Sequence, residues 1–335
     1  MGNQLFGPSD PASAAGYPDP PARKGFFTDT SICIGCKACE VACKEWNAVP
    51  EDGLTLTGHS YDNSVGLGAS TWRHVAFIEQ SSPARDTSGT SGESGLDVLA
   101  LAGQPDQHPA HHTRPAAPAV ELGMPTMTLP GADTPAEQRA PFRWLMESDV
   151  CKHCTHAGCL DVCPTGALFR TEFGTVVVQN DICNGCGYCI PACPYGVIDR
   201  RDGPPGDPAV GIAQKCTLCY DRLKGDLEPA CAKACPTKSI QFGELTELRE
   251  RAKARVRTLT EAGVADAQLY GHDPDDGVGG TGAFFLLLDK PEVYGLPPDP
   301  VVATKHLPRM WRRAAIAAVT LLAGAAAAFA TEGRR

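Results

Sequence analysis

Two closely spaced groups of four cysteines between Cys151 and Pro194 constrain this chain more than any other feature. The groups are Cys151, Cys154, Cys159 and Cys163, and then Cys183, Cys186, Cys189 and Cys193. Each begins C-x-x-C and ends C-x-x-x-C-P, a spacing typical of thiolates that bind 4Fe–4S clusters. Three thiolates from one tight loop can occupy three corners of a cluster. The fourth cysteine, which we expect to lead into a helix, points away from that loop.

The fourth cysteine of each group is predicted to bind the neighbouring cluster, as in the bacterial two-cluster pattern. The two groups then exchange their last ligands. One predicted cluster is bound by Cys151, Cys154, Cys159 and Cys193. The other is bound by Cys183, Cys186, Cys189 and Cys163.

The residues between these two groups have the signals of a β-hairpin. Phe173 and Gly174 can form its turn, and residues 175–178 are a β-branched strand. A short helix after each Cys-Pro and a strand pair between the groups would make a compact two-cluster ferredoxin unit.

Two further groups flank this unit, and each lacks an adjacent partner. They are Cys33, Cys36, Cys39 and Cys43, and then Cys216, Cys219, Cys231 and Cys235. The same exchange predicts one cluster bound by Cys33, Cys36, Cys39 and Cys235, and another bound by Cys216, Cys219, Cys231 and Cys43. Lys44 replaces the proline of the other groups, so a helix can continue through Trp46.

The predicted fold class is therefore α+β, with two ferredoxin-like two-cluster domains, one nested within the other, and a C-terminal transmembrane helix. The outer domain is predicted at 25–80 and 205–300, and the inner domain at 141–204. Residues 1–24 are expected to be an extended or disordered arm. Residues 81–140, rich in Ser, Gly, Pro and Ala, are expected to be a flexible excursion in which His108, His111 and His112 are solvated.

Periodicity predicts three further elements of the outer domain. Residues 71–80 alternate as a strand does, residues 245–261 have the pattern of an amphipathic helix, and residues 284–288 form a short apolar strand.

The C-terminal segment 301–335 contains a candidate membrane anchor. Ala314 to Ala330 are 17 uncharged residues, which form about 25 Å of helix against a hydrocarbon core of about 30 Å. Trp311, Arg312 and Arg313 can extend the span at the interface. We therefore predict a single membrane anchor packed against a partner helix.

Disulfides and zinc sites are the other uses that 16 cysteines could have. Disulfides would join residues three apart in tight loops, and zinc sites usually join two separated C-x-x-C pairs. A zinc-binding scaffold remains the remote alternative. The net charge of −9 without a basic stripe does not suggest nucleic-acid binding.

Several charged residues lie next to the cysteines. They are Lys37, Lys44, Lys152, Lys215 and Lys233. Their charge would stabilise reduced clusters, or else they are solvated or meet an acidic partner. For His153 and His156, exposure in a loop is favoured over hydrogen bonds to sulfur. No nucleotide-binding glycine loop or nucleophile elbow is recognisable, so the chain is expected to be a non-catalytic electron-transfer subunit.

The sequence resembles the iron–sulfur (beta) subunit of respiratory, membrane-bound formate dehydrogenase, within the molybdopterin-oxidoreductase electron-transfer group. The resemblance lies in CIGCKACEVACKEWN, KCTLCYDR, EPACAKACPT, the stretch GVGGTGAFFLLLDKPEVYGLPPDP and the terminal apolar helix. Nitrate-reductase relatives replace one cluster cysteine with tryptophan, whereas all 16 positions here are cysteine.

The resemblance implies two partners. One is a catalytic alpha subunit with a molybdenum or tungsten bis-pterin, and the other is a cytochrome b gamma subunit that reduces quinone. The alternative is the equivalent subunit of another molybdopterin oxidoreductase or a hydrogenase.

Two opposing arguments bear on the side of the membrane. Lys305, Arg309, Arg312 and Arg313 precede the helix and would hold the cluster domains in the cytoplasm by the positive-inside rule. The resemblance instead implies the periplasmic, outer face, which is the side that we predict.

Overall fold

The computed structural model describes residues 10–52, 61, 64–81, 142–204 and 206–332. The predicted excursion at 81–140, with its three histidines, lies outside the described residues except for Ser81, which ends a strand. The described residues within 10–78 and 145–332 belong to one compact unit, and residues 79–81 and 142–144 belong to a second. In the second unit, Arg143 Nε donates a hydrogen bond to Gln80 Oε1 at 2.7 Å.

The elements are short and are numbered in chain order. The strands are β1 (Lys24–Asp29), β2 (Arg73–Ser81), β3 (Phe142–Val150), β4 (Leu168–Arg170), β5 (Val176–Val178), β6 (Asp199–Arg200), β7 (Ala213–Gln214), β8 (Ile240–Glu244), β9 (Gln268–Tyr270) and β10 (Ala283–Leu287). The helices are α1 (Pro11–Ala14), α2 (Ala38–Asn47), α3 (Gly158–Asp161), α4 (Tyr220–Lys224), α5 (Ala230–Ala234), α6 (Leu245–Glu261) and α7 (Leu307–Glu332).

A four-stranded sheet joins residues from both ends of the sequence in the order β8-β1-β10-β9. Strand β1 is parallel to β10 and antiparallel to β8. Every residue of β10 is buried, which explains its unbroken apolar run, because a central strand covered on both faces has no solvent side. The predicted strand at 284–288 is confirmed, one residue earlier.

Helix α6 covers one face of this sheet. Its buried residues recur every three to seven positions, and they are Leu245, Leu248, Ala252 and Leu259. They pack against Phe27, Phe284 and Leu286 of the sheet. The predicted amphipathic helix is confirmed with the same bounds.

The hairpin between the two central cysteine groups is also confirmed. Strands β4 and β5 are antiparallel, and the Thr171 amide donates to the Thr175 carbonyl at 2.9 Å across the turn. Strand β2 pairs with β3, and it begins two residues after the predicted position.

Residues 10–24 pack on the chain itself, in place of the predicted extended or disordered arm. Ala12 is buried, and the Arg23 guanidinium donates to His153 O and to Thr155 Oγ1, each at 2.8 Å. Arginine can reach both oxygens because its planar fork carries several donors. Composition alone could not reveal these contacts, which join residues about 130 positions apart.

The C-terminal helix α7 exposes a row of large apolar side chains. The exposed residues include Trp311, Ile316, Leu321, Leu322 and Phe329. Among the described residues, Ala303–Phe329 is the one stretch long and apolar enough to cross a membrane. Length and composition therefore agree with the predicted span.

Candidate iron–sulfur sites

All four C-x-x-C loops share a left-handed residue two positions after their first cysteine. These residues are Gly35, His153, Gly185 and Leu218, with φ of +64°, +45°, +70° and +57°. At Gly35 an added Cβ would lie 2.6 Å from Phe77 Cε1 and 2.7 Å from Met146 Sδ. The same local turn therefore presents the cysteines of each group.

The turns after the three Cys-Pro pairs are alike as well. In each, the third residue after the cysteine is left-handed, and its amide donates to the cysteine carbonyl. These third residues are Gly166, Gly196 and Lys238. The predicted short helix after each Cys-Pro is wrong, because a left-handed residue ends helical geometry at once. Short helices instead precede two of the fourth cysteines, as α3 and α5.

The Cys-Pro turn directs backbone N–H groups at the sulfur of the fourth cysteine. Burial alone would raise the pKa of the Cys163 thiol, but the amides of Leu168, Thr165 and Ala167 and the Thr165 hydroxyl lower it below its usual value. Proline fits directly after the cysteine because it lacks an N–H and favours a turn. This turn favours the thiolate that an iron ligand requires.

Two cavities bring together cysteines from different groups. One is lined by Cys33, Cys36 and Cys39 of the first group and by Cys235 of the fourth. The other is lined by Cys151, Cys154 and Cys159 of the second group and by Cys193 of the third. In each cavity the three leading cysteines of one group meet the last cysteine of another.

The remaining eight cysteines also approach one another across groups. Asn47 Nδ2 lies 3.7 Å from Cys43 Sγ and 3.8 Å from Cys219 Sγ, so the last cysteine of the first group is next to the fourth group. Burial, followed by the charges of Cys183, Cys186 and Cys163, raises the pKa of Cys189 to about 11.

The donor set fits iron–sulfur clusters. None of the 16 cysteines, all of which are described, forms a disulfide. Burial raises the pKa of Cys33 and Cys39 to about 11 and that of Cys159 to about 12, so these thiols are neutral without metal and release protons on binding iron. Within the described parts of the chain, no three Cys, His, Asp or Glu side chains are grouped as a single metal ion requires.

Two of the lysines beside the cysteines are buried rather than solvated. Lys215 Nζ donates to the carbonyls of Val176 and of Cys216, the latter at 2.9 Å. Lys152 pairs with the Asp149 carboxylate. The solvated or partner-facing alternative is therefore wrong for these two lysines, whereas Lys233 is exposed.

The expected exposure of the two histidines is wrong for His153. Its side chain is 1% exposed, and its Nδ1 accepts a hydrogen bond from the Val176 amide at 3.1 Å. A neutral ring is required for this contact, and burial lowers the pKa of His153 well below its usual value. His156 is half-buried against Gly279.

Sequence reasoning did not single out Arg73, Ser148 or Asn47, although each lies beside a cysteine. Ser148 Oγ is 3.2 Å from Cys39 Sγ, and Arg73 Nη1 is 3.0 Å from Ser148 Oγ. The one available signal was the alternation of β2, which places Arg73 on the same face as the buried Val75.

Two family models, both described as a 4Fe-4S dicluster domain, match this chain. One matches residues 142–245 and the other residues 32–167. Together they span all four cysteine groups.

Curated relatives agree with the cysteine pattern. The "Formate dehydrogenase iron-sulfur subunit" of Haemophilus influenzae is 36% identical over 278 residues, which cover 82% of this chain and 68% of the relative. The "Formate dehydrogenase, nitrate-inducible, iron-sulfur subunit" of Escherichia coli is 34% identical, over 82% of this chain and 73% of the relative.

A relative from another enzyme is less similar. The B subunit of the anaerobic dimethyl sulfoxide reductase of Escherichia coli is 27% identical over 68% of this chain and 76% of the relative. The matches to 4Fe–4S domains and the higher identity to the two formate dehydrogenase subunits confirm the resemblance found in the sequence. The chain belongs to the family of formate dehydrogenase iron–sulfur subunits, and it is an electron-transfer subunit rather than a catalytic one.

Proposed function

We propose that this chain carries electrons through four 4Fe–4S clusters, from a catalytic subunit that oxidises formate to a cytochrome b subunit in the membrane. The catalytic partner would hold a molybdenum or tungsten bis-pterin. When bound, each cluster supplies a one-electron redox centre. The chain itself holds these centres, sets their environment and contacts both partners.

We assign the ligands by exchange between groups. Cys33, Cys36, Cys39 and Cys235 hold one cluster, and Cys216, Cys219, Cys231 and Cys43 hold its neighbour. Cys151, Cys154, Cys159 and Cys193 hold a third, and Cys183, Cys186, Cys189 and Cys163 hold the fourth. The observation that carries this assignment is the pair of cavities, each lined by three cysteines of one group and the last of another.

The nested domain arrangement follows from the same assignment. Strands β1, β8, β9 and β10 belong to the predicted outer domain and form one sheet, although the inner domain separates β1 from the others in sequence. Helices α2 and α5, from the first and fourth groups, pack together. These contacts support an outer unit assembled from 25–80 and 205–300 around an inner unit at 141–204.

The neighbouring cysteines suggest the order of the clusters. Cys231 lies close enough to interact with Cys39, Cys151 with Cys216, and Cys189 with Cys159. The four sites then form a line that runs from the Cys33 site to the Cys183 site. Of the 16 cysteines, Cys36 and Cys186 alone are exposed, one at each end of this line.

The anchor begins near the Cys183 end of this line. The 3₁₀ turn Ala303–His306 precedes α7, and Thr304 Oγ1 donates to Asp161 Oδ2 at 2.5 Å. Asp161 is the last residue of α3, which contains Cys159 and ends two residues before Cys163. We infer that electrons enter at the Cys33 site and leave at the Cys183 site toward the membrane, with the cluster domains on the outer face.

Anaerobic purification of the complex tests the function. We expect about sixteen iron atoms per chain, no zinc at the cysteines, and bleaching of the visible absorption on addition of formate. About eight iron atoms per chain, or bound zinc, would contradict the cluster assignment. Full iron content without any bleaching by formate would contradict the proposed role in formate oxidation but not the cluster assignment.

A further inference from the structure

A buried arginine lies between the two sites of the proposed outer domain. Arg73 on β2 is 1% exposed, and its guanidinium carbon is 4.9 Å from the centroid of the Phe26 ring. Its Nη1 donates to Ser148 O at 3.1 Å and to Ser148 Oγ at 3.0 Å. Its Nε and Nη2 donate to no oxygen or nitrogen atom of the described residues, and the side chain lies against the Cys231 sulfur.

No carboxylate of the described residues forms an ion pair with Arg73. Glu147 on β3 is also buried, but burial raises its pKa well above the usual value and favours the neutral acid. A buried cation without a counter-charge is costly, so a fold that retains one must supply negative charge from elsewhere.

Cysteine sulfur atoms of two ligand sets surround this cation. The Arg73 side chain is close to Cys39, which belongs to one set, and to Cys43 and Cys231, which belong to the other. Ser148 links the arginine to one of them, because its Oγ lies 3.2 Å from Cys39 Sγ. Once Cys39 is an iron ligand without a proton, the Ser148 hydroxyl must be the donor in that pair.

We propose that Arg73 is a positioning residue that raises the reduction potentials of both outer clusters, and that it acts on the Cys39 cluster partly through Ser148. The proposal rests on the ligand assignment given above. One-electron reduction adds negative charge at a site, so a fixed positive charge beside it stabilises the reduced state. Hydrogen bonds to ligand sulfur raise the potential in the same direction.

Redox titration of the whole complex, followed by electron paramagnetic resonance, tests this proposal with Arg73→Met and Arg73→Lys. In Arg73→Met, we expect the reduced-to-oxidised ratio of both outer clusters to fall roughly tenfold at a fixed ambient potential, which corresponds to about 59 mV for a one-electron couple. Arg73→Lys keeps the charge and should restore most of this change. The two inner clusters should keep their potentials in both variants.

Ser148→Ala separates the direct effect of the Arg73 charge from the effect that passes through the Ser148 hydroxyl. Because Ser148 contacts Cys39, this variant should lower the potential of the Cys33, Cys36, Cys39 and Cys235 cluster and leave the Cys231 cluster unchanged. Arg251→Met is the control, since Arg251 is an exposed arginine of α6 whose Nη1 donates to the neutral Gln241 Oε1 at 2.8 Å. It should change none of the four potentials.

Unchanged outer potentials in iron-replete Arg73→Met would overturn the proposal. If that variant does not retain its iron, Arg73→Gln removes the same charge, and unchanged outer potentials in iron-replete Arg73→Gln would overturn it equally. Serine variants of the cysteines test the ligand assignment separately. Loss of a ligand makes the signal of one cluster disappear, whereas a change at Arg73 or Ser148 shifts the potential of a signal that persists.

Discussion

Gly35 is a single residue on which the shape of the first cysteine loop depends. Its φ is +64°, and an added Cβ would meet the ring of Phe77 and the sulfur of Met146. We expect Gly35→Ala to lose the cluster of Cys33, Cys36, Cys39 and Cys235, so that iron falls by about a quarter. Iron analysis and electron paramagnetic resonance of the purified complex would measure this loss.

Gly295→Ala is the matched control for this variant. Gly295 has a similar φ of +74°, but an added Cβ would meet nothing within 4 Å. Its iron content should stay full, with a stability loss of about 1 kcal/mol. Equal iron in the two variants would show that the contacts of Gly35 do not shape the site.

At the residue scale, the cysteine spacing leads to the ligand sets that we propose, but it could not predict their surroundings. The cysteine spacing is local, and so is the left-handed glycine of a C-x-x-C loop. Arg73 and Ser148 are 75 positions apart, and their meeting depends on the pairing of β2 with β3. Lys215 and His153 were misjudged for the same reason, because each forms a hydrogen bond in the interior with the backbone of Val176 in the hairpin.

At the scale of elements, local periodicity was sufficient for α6, for the β4–β5 hairpin and for β10. The prediction of a short helix after each Cys-Pro pair was wrong, because the backbone amides there point at the cysteine sulfur instead of continuing a helix. The short helix α1 was missed as well, since its four residues carry too little pattern to be recognised.

The helix α7 leads to a prediction at this scale. Its apolar side chains are exposed, and it is rich in alanine, which contributes little to insertion. Deleting Trp311–Arg335 should release the catalytic and iron–sulfur subunits together into the soluble fraction, while dye-linked formate oxidation survives. Fractionation of washed membranes, with the full-length chain as control, measures this release. If the truncated pair stays in the membranes, the anchor lies elsewhere.

At the scale of the whole molecule, several of the cysteines are part of the hydrophobic core. Cys39, Cys43, Cys216 and Cys231 are buried in the same core as Phe26. We expect removal of iron by anaerobic chelation to abolish the cooperative thermal transition, because the core then loses the groups that its cysteines surround. Circular dichroism melts before and after chelation measure this change.

Leu248→Ala in the iron-loaded chain is the comparison for that experiment. It removes a fully buried side chain of α6 and should lower stability by about 2–5 kcal/mol while the transition remains cooperative. A chelated chain that melts as cooperatively as this variant would show that the clusters are not required for the fold.

The order of the four-stranded sheet could not be read from periodicity, because β1 meets β8 and β10 across more than 200 positions. The nesting hypothesis was available only because two cysteine groups lacked neighbours in sequence. The exchange of last cysteines between groups is therefore the central claim about the whole molecule.

The most direct test of this claim is Cys235→Ser in the complete complex, followed by electron paramagnetic resonance of all four clusters. We predict that the signal of the cluster held by Cys33, Cys36 and Cys39 is lost or altered, since Cys235 lines their cavity. The reciprocal variant Cys43→Ser should alter the cluster of Cys216, Cys219 and Cys231. Damage by Cys235→Ser that is confined to the Cys216 cluster would contradict the exchange, and with it the nested arrangement.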